Sequence, residues 1–148
     1  MNKGLRITVV TCGAPADWAC PAVEHWHKRI ASLASIKLHA ARYKNTRRLT
    51  DALIGSLGKY PVALTQGGKA FSTPQWAQFI DELSLSSGCA TFFVGGADGL
   101  PDELIAACRK KISLSSITLQ HDVALIVLLE QLYRALSINA GLPYHRGK

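Results

Sequence analysis

Two hydrophobic periods alternate along the chain. Short runs rich in β-branched and aromatic residues predict strands at 5–11, 36–43, 61–64, 90–94 and, less regularly, from 112 onward. Segments whose apolar residues recur every three or four positions predict helices at 17–33, 47–57, 72–85, from 101 onward and at 122–140. Strands that alternate with helices in this way predict one α/β domain, residues 1–148, with a largely parallel sheet.

Glycines and charged residues mark the connections between these elements. Thr65–Lys69 is predicted to be a loop after the third strand, and Gly95–Gly99 a glycine-rich turn after the fourth. Lys110 and Lys111 are predicted at the carboxyl end of the helix that begins at 101, where the helix dipole favours cations. The segment from 112 to 119 is predicted to be a short strand followed by an irregular loop.

The charge of the chain narrows the choice of partners. The chain carries 17 Lys and Arg against 10 Asp and Glu, a net charge of +7, and a small basic protein favours RNA or DNA. Seven basic residues and no acidic one occur in one segment: Lys28, Arg29, Lys37, Arg42, Lys44, Arg47 and Arg48. This clustering indicates phosphate binding, and a solvated helix face with its loop is the alternative.

Other classes of protein are disfavoured by what the sequence lacks. No C-x-x-C pair occurs among the cysteines, so a zinc site is not predicted and most are expected to be small buried side chains: Cys12, Cys20, Cys89 and Cys108. The apolar run near the N-terminus is too short for an export signal, and the stretch at 123–129 is too short to span a membrane. We therefore expect a soluble, cytoplasmic protein.

Two glycine-containing loops are candidates for ligand binding. In open α/β sheets ligands bind beyond the carboxyl ends of the strands, and one loop follows Leu64 while the other follows Val94. The Gly95-Gly96-x-x-Gly99 pattern differs from the G-x-G-x-x-G dinucleotide fingerprint. Glycine lets the backbone approach a ligand closely, but a purely structural turn would also need it, so both interpretations stay open.

The predicted last helix carries one cation among apolar residues. Arg134 there needs an acidic partner, a phosphate or solvent. Glu130, one turn earlier, would give an ion pair, and contact with a phosphate or substrate is the alternative. His121 and His145 are candidates for acid–base chemistry, although a structural role is the default for an isolated histidine.

Four segments of the last third resemble one family. Phe92–Leu100 is similar to that family's hydrophobic-Gly-Gly-x-x-Gly loop, and Ile112–His121 to its Ser-Leu-Ser-x-x-Thr-x-x-His loop. Leu128–Ala135 is similar to its last-helix signature, and Pro143-Tyr144-His145 to its C-terminal tail. The blocks occur in the right order and at fitting distances. The chain therefore resembles the RlmH (YbeA-like) family of SPOUT methyltransferases, strongly over about 60–148 and weakly before it.

This resemblance implies a fold and an activity. The fold would be a SPOUT α/β domain whose C-terminal segment forms a trefoil knot, which the general rule of unknotted chains would not predict. The protein would be a homodimer with an active site shared across the interface. It would use S-adenosyl-L-methionine to methylate N3 of a pseudouridine in a 23S rRNA stem-loop of the assembled ribosome. No metal is required, because the methyl group of the sulfonium cofactor is already activated, and no membrane partner is implied.

The resemblance also assigns residues, motif by motif. The cofactor site would consist of Leu64, Gly95, Gly96, Ser115, Ser116, Ile117, Thr118, Leu119 and Gln120. The residues near the target nucleotide would be His121, Arg134, Tyr144 and His145. Of these, Arg134 would contact a phosphate or the developing charge, and Tyr144 and His145 the target base.

The chain departs from the family pattern in two places. Thr65 stands where the family commonly has Asp, and the segment from Gln120 to Leu125 lacks the proline and the arginine of Pro-His-x-x-x-Arg. At an RNA-facing site the lost arginine would remove a phosphate or base contact. These departures favour a second hypothesis, a diverged, non-catalytic SPOUT protein that binds RNA or the ribosome. A third, an enzyme that binds another nucleotide through the glycine loops, is disfavoured by the non-matching fingerprint.

Overall fold

The computed structural model describes residues 4–146. Its five strands are β1 (Arg6–Cys12), β2 (Ser35–Ala41), β3 (Pro61–Ala70), β4 (Cys89–Val94) and β5 (Lys110–Ser113). They form one parallel sheet in the order β2-β1-β4-β3-β5. The helices are α1 (Cys20–Ala31), α2 (Thr46–Ile54), α3 (Thr73–Leu85), α4 (Asp102–Ala107) and α5 (His121–Asn139). The predicted α/β class with a parallel sheet is confirmed.

Each side of the sheet has its own hydrophobic core, because successive strand residues face opposite sides. Val9 and Phe92 belong to the larger core, and their neighbours Val10 and Phe93 to the smaller. Helices α1, α3 and α5 cover the larger core, while α2 and α4 cover the smaller. Helix α5 packs between α1 and α3, and a series of its leucines is buried there: Leu125, Leu128, Leu129, Leu132 and Leu136.

Local signals set the beginnings of two helices. Helix α1 begins at Cys20, later than predicted, because Pro21 lies in its first turn, where the missing N–H of proline costs nothing. Helix α3 is preceded by Ser72, whose hydroxyl accepts a hydrogen bond from the backbone N–H of Gln75. The side chain of Gln75 in turn accepts one from the backbone N–H of Ser72, which completes a capping box.

The loop prediction for Thr65–Lys69 is wrong in one respect, since β3 continues to Ala70. Leu64 and Lys69 both pair with Ile112 of β5, so residues 65–68 make an excursion between two paired positions. Glycine at position 68 permits this return, because a Cβ there would lie 2.6 Å from the backbone nitrogen of Ile112. The glycines predict the excursion, but the renewed pairing depends on a strand much later in the chain.

The prediction for Lys110 and Lys111 is also wrong. Helix α4 ends at Ala107, the backbone at Cys108 is extended (φ −79°, ψ 146°), and both lysines lie in β5. Lys110 pairs with Val62 of β3. An edge strand tolerates exposed charged residues, so its hydrophobic pattern is weak and the preceding helix is easily extended over it.

Helix α5 carries the chain from the edge strand β5 back to the middle of the sheet, where it contacts β4. This path is consistent with the C-terminal knot that the resemblance implies. The knot and the single-domain assignment for residues 1–148 stay predictions. Over residues 4–146, no helix is long and apolar enough to cross a membrane.

The central strand provides a test of this packing. Phe92 is fully buried, and its ring lies 6.1 Å from that of Trp76, centroid to centroid. We expect Phe92→Ala to lower the free energy of unfolding by about 3–5 kcal/mol, because it removes buried apolar area and leaves a cavity. Urea denaturation at one fixed protein concentration measures the change. The control is Leu85→Ala, at a side chain that is 81% exposed, and equal losses for the two variants would refute the assignment.

Candidate active site

A cavity of about 340 Å³ lies beyond the carboxyl ends of β3, β4 and β5. Its walls come from the excursion of β3, the glycine turn after β4, the loop after β5 and the start of α5. It is lined by Leu64, Thr65, Gln66, Val94, Gly95, Gly96, Ala97, Gly99, Leu100, Ser113, Leu114, Ser115, Ile117, Thr118, Leu119, His121 and Ala124. Its size and its mixture of apolar and polar groups fit a small organic ligand.

The glycine turn forms one wall because its two ends approach closely. A Cβ at Gly95 would lie 2.7 Å from the carbonyl carbon of Gly99 and 2.9 Å from the nitrogen of Leu100. The backbone N–H of Gly99 donates to the carbonyl of Gly96 at 3.0 Å, and Gly99 has a positive φ of 75°. The structural and the ligand-binding interpretations of these glycines therefore coexist, since the same tight turn shapes the cavity.

The loop after β5 is held by its own hydroxyl groups. The Ser113 hydroxyl donates to the carbonyl of Ser115 at 2.8 Å, and the Ser115 hydroxyl accepts from the N–H of Ile117 at 3.1 Å. Across the cavity wall, the amide Nε2 of Gln66 donates to the hydroxyl of Thr118 at 2.8 Å. These bonds fix the loop, so its backbone groups are available to a ligand without a large loss of conformational entropy.

Seven of the nine predicted cofactor residues line the cavity, and Ser116 and Gln120 do not. Ser116 is exposed. The side-chain oxygen of Gln120 accepts from the backbone N–H groups of Asp122 and Val123, so this residue caps α5. The prediction omitted Gln66, although its place directly after Leu64 and Thr65 in a glycine-containing loop was an available signal.

His121 is the only predicted catalytic residue that lines the cavity. Its side chain is 39% exposed, and its Nε2 atom lies 3.5 Å from a carboxylate oxygen of Asp122, whose side chain is 6% exposed. The imidazole is therefore placed between the ligand cavity and a buried acidic group. This position suits a histidine that accepts or donates a proton at the cavity.

The other three predicted catalytic residues, Arg134, Tyr144 and His145, lie together with Glu130 in a separate group, the tail cluster. Nε and Nη2 of Arg134 donate to Oε2 of Glu130 at 3.2 and 2.7 Å. The Tyr144 hydroxyl donates to the same oxygen at 2.8 Å, and the guanidinium carbon lies 4.7 Å from the centre of the Tyr144 ring. Nη1 of Arg134 lies 3.0 Å from Nδ1 of His145. The predicted ion pair between Glu130 and Arg134 is thus present, and the helix packs the tail against it.

The hydrogen bond from Arg134 determines which tautomer a neutral His145 adopts. A guanidinium only donates hydrogen bonds, so Nδ1 of His145 must accept, and the neutral ring carries its proton on Nε2. An Nε2–H group is a donor. His145 can therefore donate a hydrogen bond to a carbonyl or a developing oxyanion, provided that a substrate reaches it.

The contacts of the tail cluster shift its pKa values. Burial of the Glu130 carboxyl opposes ionisation, but hydrogen bonds from Arg134, Tyr144 and Gln131 outweigh it and lower the pKa of Glu130. The pKa of Tyr144 is raised, first by burial and then by the hydrogen bond to Glu130. The hydrogen bonds to Glu130 raise the pKa of Arg134. At neutral pH the cluster therefore contains a carboxylate, a guanidinium and a neutral phenol.

A second cation, Arg29 of α1, holds the tail from the other side. Its guanidinium carbon lies 4.4 Å from the ring centre of Tyr133 and 5.0 Å from that of Tyr144. Its Nη2 atom also donates to the hydroxyl of Tyr133 at 3.1 Å. Arg29 is one of the seven basic residues that the sequence grouped as phosphate ligands, and here its charge is turned toward aromatic rings.

Cavity and tail cluster lie far apart within one chain. His121 and Arg134 are thirteen positions apart on α5, and the rise of an α-helix places them about 20 Å from each other along its axis. No single small group can touch both. Within one chain, the predicted catalytic residues therefore lie in two separate places.

The two departures from the family pattern differ in position. Thr65 lines the cavity. Leu125, in the place of the missing arginine, is 2% exposed and belongs to the larger core. The expectation that this position faces RNA is wrong, because α5 turns it toward the sheet. Over residues 4–146, no group of three His, Cys, Asp or Glu side chains could hold a metal ion.

The protein therefore has an α/β fold whose parallel sheet carries, at its carboxyl edge, a cavity of the size that small ligands occupy. A family model described as a predicted SPOUT methyltransferase matches residues 5–145. The chain therefore belongs to the SPOUT methyltransferase family.

Several curated relatives match over nearly their whole length. A protein of Deinococcus radiodurans named ribosomal RNA large subunit methyltransferase H is 34% identical over 146 residues, covering 97% of this chain and 100% of that protein. A protein of the same name from Legionella pneumophila strain Paris is 34% identical, covering 96% of this chain and 99% of that protein. The resemblance predicted from the four sequence blocks is confirmed.

Solved structures share the fold at low sequence identity. A probable methyltransferase from Bordetella pertussis Tohama I has a TM-score of 0.60 and 16% identity, covering 90% of this chain and 95% of that chain. The SpoU methyltransferase AviRb from Streptomyces viridochromogenes, solved in complex with the cofactor AdoMet, has a TM-score of 0.51 and 11% identity, covering 95% and 60%. These likenesses support the fold alone.

The pKa of Glu130 gives a prediction for stability. Because this pKa is lowered in the folded state, the Glu130 carboxylate stabilises the protein above its ordinary pKa, and the effect is lost as the pH falls through the folded value. We expect Glu130→Gln to cost about 1 kcal/mol near pH 7 and progressively less as the pH falls below about 4.3. Urea denaturation over this pH range measures the difference.

The matched control is Glu24→Gln, the same change at an exposed position of α1. This variant should unfold with almost the same free energy as the wild-type protein at every pH. A loss for Glu130→Gln that does not change with pH would show that the tail cluster is held by shape and not by the charge of Glu130.

Proposed function

We propose that this protein is an S-adenosyl-L-methionine-dependent methyltransferase that methylates N3 of a pseudouridine in 23S rRNA of the assembled ribosome. The observation that carries the proposal is the cavity between the glycine turn and the Ser113–Leu119 loop, in a chain that matches ribosomal RNA large subunit methyltransferase H over its full length. Because the substrate is the ribosome, the protein would act in the cytoplasm, as a single domain of 148 residues.

The cavity fits the cofactor in size and chemistry. Backbone groups of Gly95, Gly96 and the loop from Ser115 to Leu119 would bind its adenosine part, where small residues leave room for the ligand. When bound, the cofactor supplies a methyl group already activated by a sulfonium charge. The protein then has to hold the acceptor nitrogen in line with the carbon–sulfur bond, which is mainly a positioning effect.

The acceptor nitrogen of a pseudouridine belongs to an imide, whose proton must leave. Loss of that proton places negative charge on the two neighbouring carbonyl oxygens, and a donor such as Nε2–H of His145 would stabilise it. We assign proton removal to His121, because it is the predicted catalytic residue that lines the cavity. Tyr144 would contact the target base, and Arg134 a phosphate or the developing charge.

A homodimer would bring the two halves of the site together. The outward side of α5 carries a stripe at spacings of three and four residues: Val123, Val127, Glu130 and Arg134. Val123 lies beside the cavity and is 37% exposed, whereas Arg134 lies in the tail cluster. In a two-fold dimer that packs this stripe against its copy in the antiparallel direction, the tail cluster of one protomer faces the cavity of the other.

One observation favours the second hypothesis, a non-catalytic SPOUT protein that binds the ribosome. Thr65 lines the cavity at the position where the family commonly has a carboxylate. The second departure gives no such support, because Leu125 lies in the core. We therefore keep the active methyltransferase as the conclusion.

Methyl transfer tests the proposed function directly. Ribosomes from a strain that lacks the endogenous enzyme should accept labelled methyl groups from S-adenosyl-L-methionine, and mass mapping should place the label on a pseudouridine of 23S rRNA.

Gly95→Ala should lower cofactor affinity in calorimetry by about tenfold or more, because its Cβ overlaps the backbone of Gly99. Gly67→Ala is the control, since no atom lies within 4 Å of its Cβ. Cofactor binding without transfer would favour the non-catalytic alternative.

The shared site predicts complementation between two inactive variants. Gly95→Ala damages the cavity and His145→Ala the tail, so each homodimer should be nearly inactive when the cofactor concentration is kept below the wild-type Kd. A heterodimer of the two, purified through a different affinity tag on each protomer, contains one cavity and one tail that are both intact. Its rate should be about half that of the wild-type dimer if the site is formed across the interface. A heterodimer as inactive as its parents would mean that each chain forms its own site.

A further inference from the structure

The structure divides the seven basic residues between 28 and 48 into different groups. The charge of Arg29 is turned toward the rings of Tyr133 and Tyr144. Arg47 is bound by two carboxylates, because its Nη2 atom lies 2.7 Å from Glu103 and also contacts Asp51. Both guanidinium groups therefore have partners within the chain, although the sequence alone does not distinguish these two arginines from the other five basic residues.

Three of the remaining cations lie close together in the chain and are exposed. Arg42 and Lys44 belong to the loop that follows β2, and Arg48 lies in the first turn of α2. None of the three forms a salt bridge with another of residues 4–146. Their positive charge is thus available to a ligand from outside the chain.

An aromatic side chain stands between these cations. Tyr43 is 55% exposed, and no ring within residues 4–146 packs against it. Exposed aromatic rings beside basic residues are typical of surfaces that bind unpaired bases, because the ring stacks on the base while the cations contact phosphates. A loop that only faces solvent would account for the exposed charges but not for the exposed ring of Tyr43.

The position of this loop fits an RNA that enters the cavity. It leaves the carboxyl end of β2, on the same edge of the sheet as the cavity. Strand β2 is two places from β4, and neighbouring strands lie about 4.8 Å apart, so about 10 Å separates β2 from the strand that leads into the glycine turn. One RNA hairpin could span that distance.

We infer that Arg42, Tyr43, Lys44 and Arg48 form an RNA-binding surface, the basic loop surface. The three cations contact phosphates of the rRNA near the target, and Tyr43 stacks on an unpaired base. This inference rests on the proposed function for the identity of the RNA, and it assigns substrate binding to residues outside the cavity and the tail cluster.

The experiment compares two triple variants with equal loss of charge. R42Q/K44Q/R48Q removes the cations of the basic loop surface. R47Q/K59Q/K111Q removes three other exposed cations: the paired Arg47, Lys59 ahead of β3 and Lys111 on the opposite edge strand. Binding to a fluorescent RNA stem-loop is measured by anisotropy over a series of salt concentrations. Methyl transfer to ribosomes and calorimetry with the cofactor are measured in parallel.

The first triple variant should bind the stem-loop at least about tenfold more weakly, and the slope of log Kd against log salt should fall by about two to three, near 0.7–0.9 per lost phosphate contact. Its KM for ribosomes should rise while its cofactor affinity stays unchanged. The second triple variant should keep nearly the wild-type slope. Tyr43→Ala should weaken binding by roughly tenfold without changing the slope, because stacking releases no counterions.

Four results would overturn the inference: equal effects of the two triple variants, an unchanged salt slope, an unchanged KM for ribosomes, or a raised KM for ribosomes with normal stem-loop binding. The last result would mean that the surface contacts a ribosomal protein. Failure of the proposed function would give another result: the wild-type protein would transfer no methyl group. The stem-loop affinities of the two triple variants could still be compared in that case. Normal transfer by the first triple variant with unchanged KM would refute the inference alone.

Discussion

The burial of α5 between α1 and α3 is the constraint on which the rest of the structure depends. Its leucines fill the larger core against the central strands, and a close-packed core does not let a helix slide along its axis. The start of the helix is therefore fixed at the cavity, and its second half is fixed beside the tail. These places are about 20 Å apart, so the same packing that stabilises the chain also keeps the cavity and the tail cluster separate. The homodimer that we propose follows from this separation, because only a second copy of the chain would bring a tail cluster to the cavity.

Sequence reasoning succeeded where the signal is local. The glycine turn after β4 and the hydroxyl-rich loop after β5 are both defined by neighbouring residues, and both line the cavity. It failed where a distant part of the chain decides the structure. Lys110 joins a strand because β3 offers an open edge, and β3 resumes its pairing after residue 68 for the same reason. The contact of Arg29 with Tyr133 joins residues 104 positions apart, and no local pattern contains it.

The tail cluster shows how the two roles that the sequence left open for Arg134 can coexist. Arg134 could be a partner of Glu130 or a ligand for substrate, and its geometry allows both. A guanidinium has five N–H donors, of which two are directed at Glu130 and one at His145. No acceptor within residues 4–146 takes the other two donors, so they can bind a phosphate or an oxyanion. The ion pair thus serves to orient the arginine and the tail, because Glu130 accepts from Arg134 and Tyr144 through the same oxygen.

The two departures from the family pattern now have unequal weight. Leu125 is buried and packs within the larger core. An apolar side chain is therefore well accommodated at this position, although the family has an arginine there. Thr65 replaces a carboxylate at the cavity by a neutral hydroxyl, so it removes an attraction for a cationic ligand. In the proposed reaction the positive charge on sulfur is present before the methyl group moves and decreases as the methyl group leaves, so the lost attraction is at least as strong in the bound ground state as in the transition state. An interaction that is not stronger in the transition state affects affinity more than the rate of the bound complex. Thr65 is the one departure that favours the non-catalytic hypothesis, but by this reasoning it predicts weaker cofactor binding and not, by itself, a loss of catalysis.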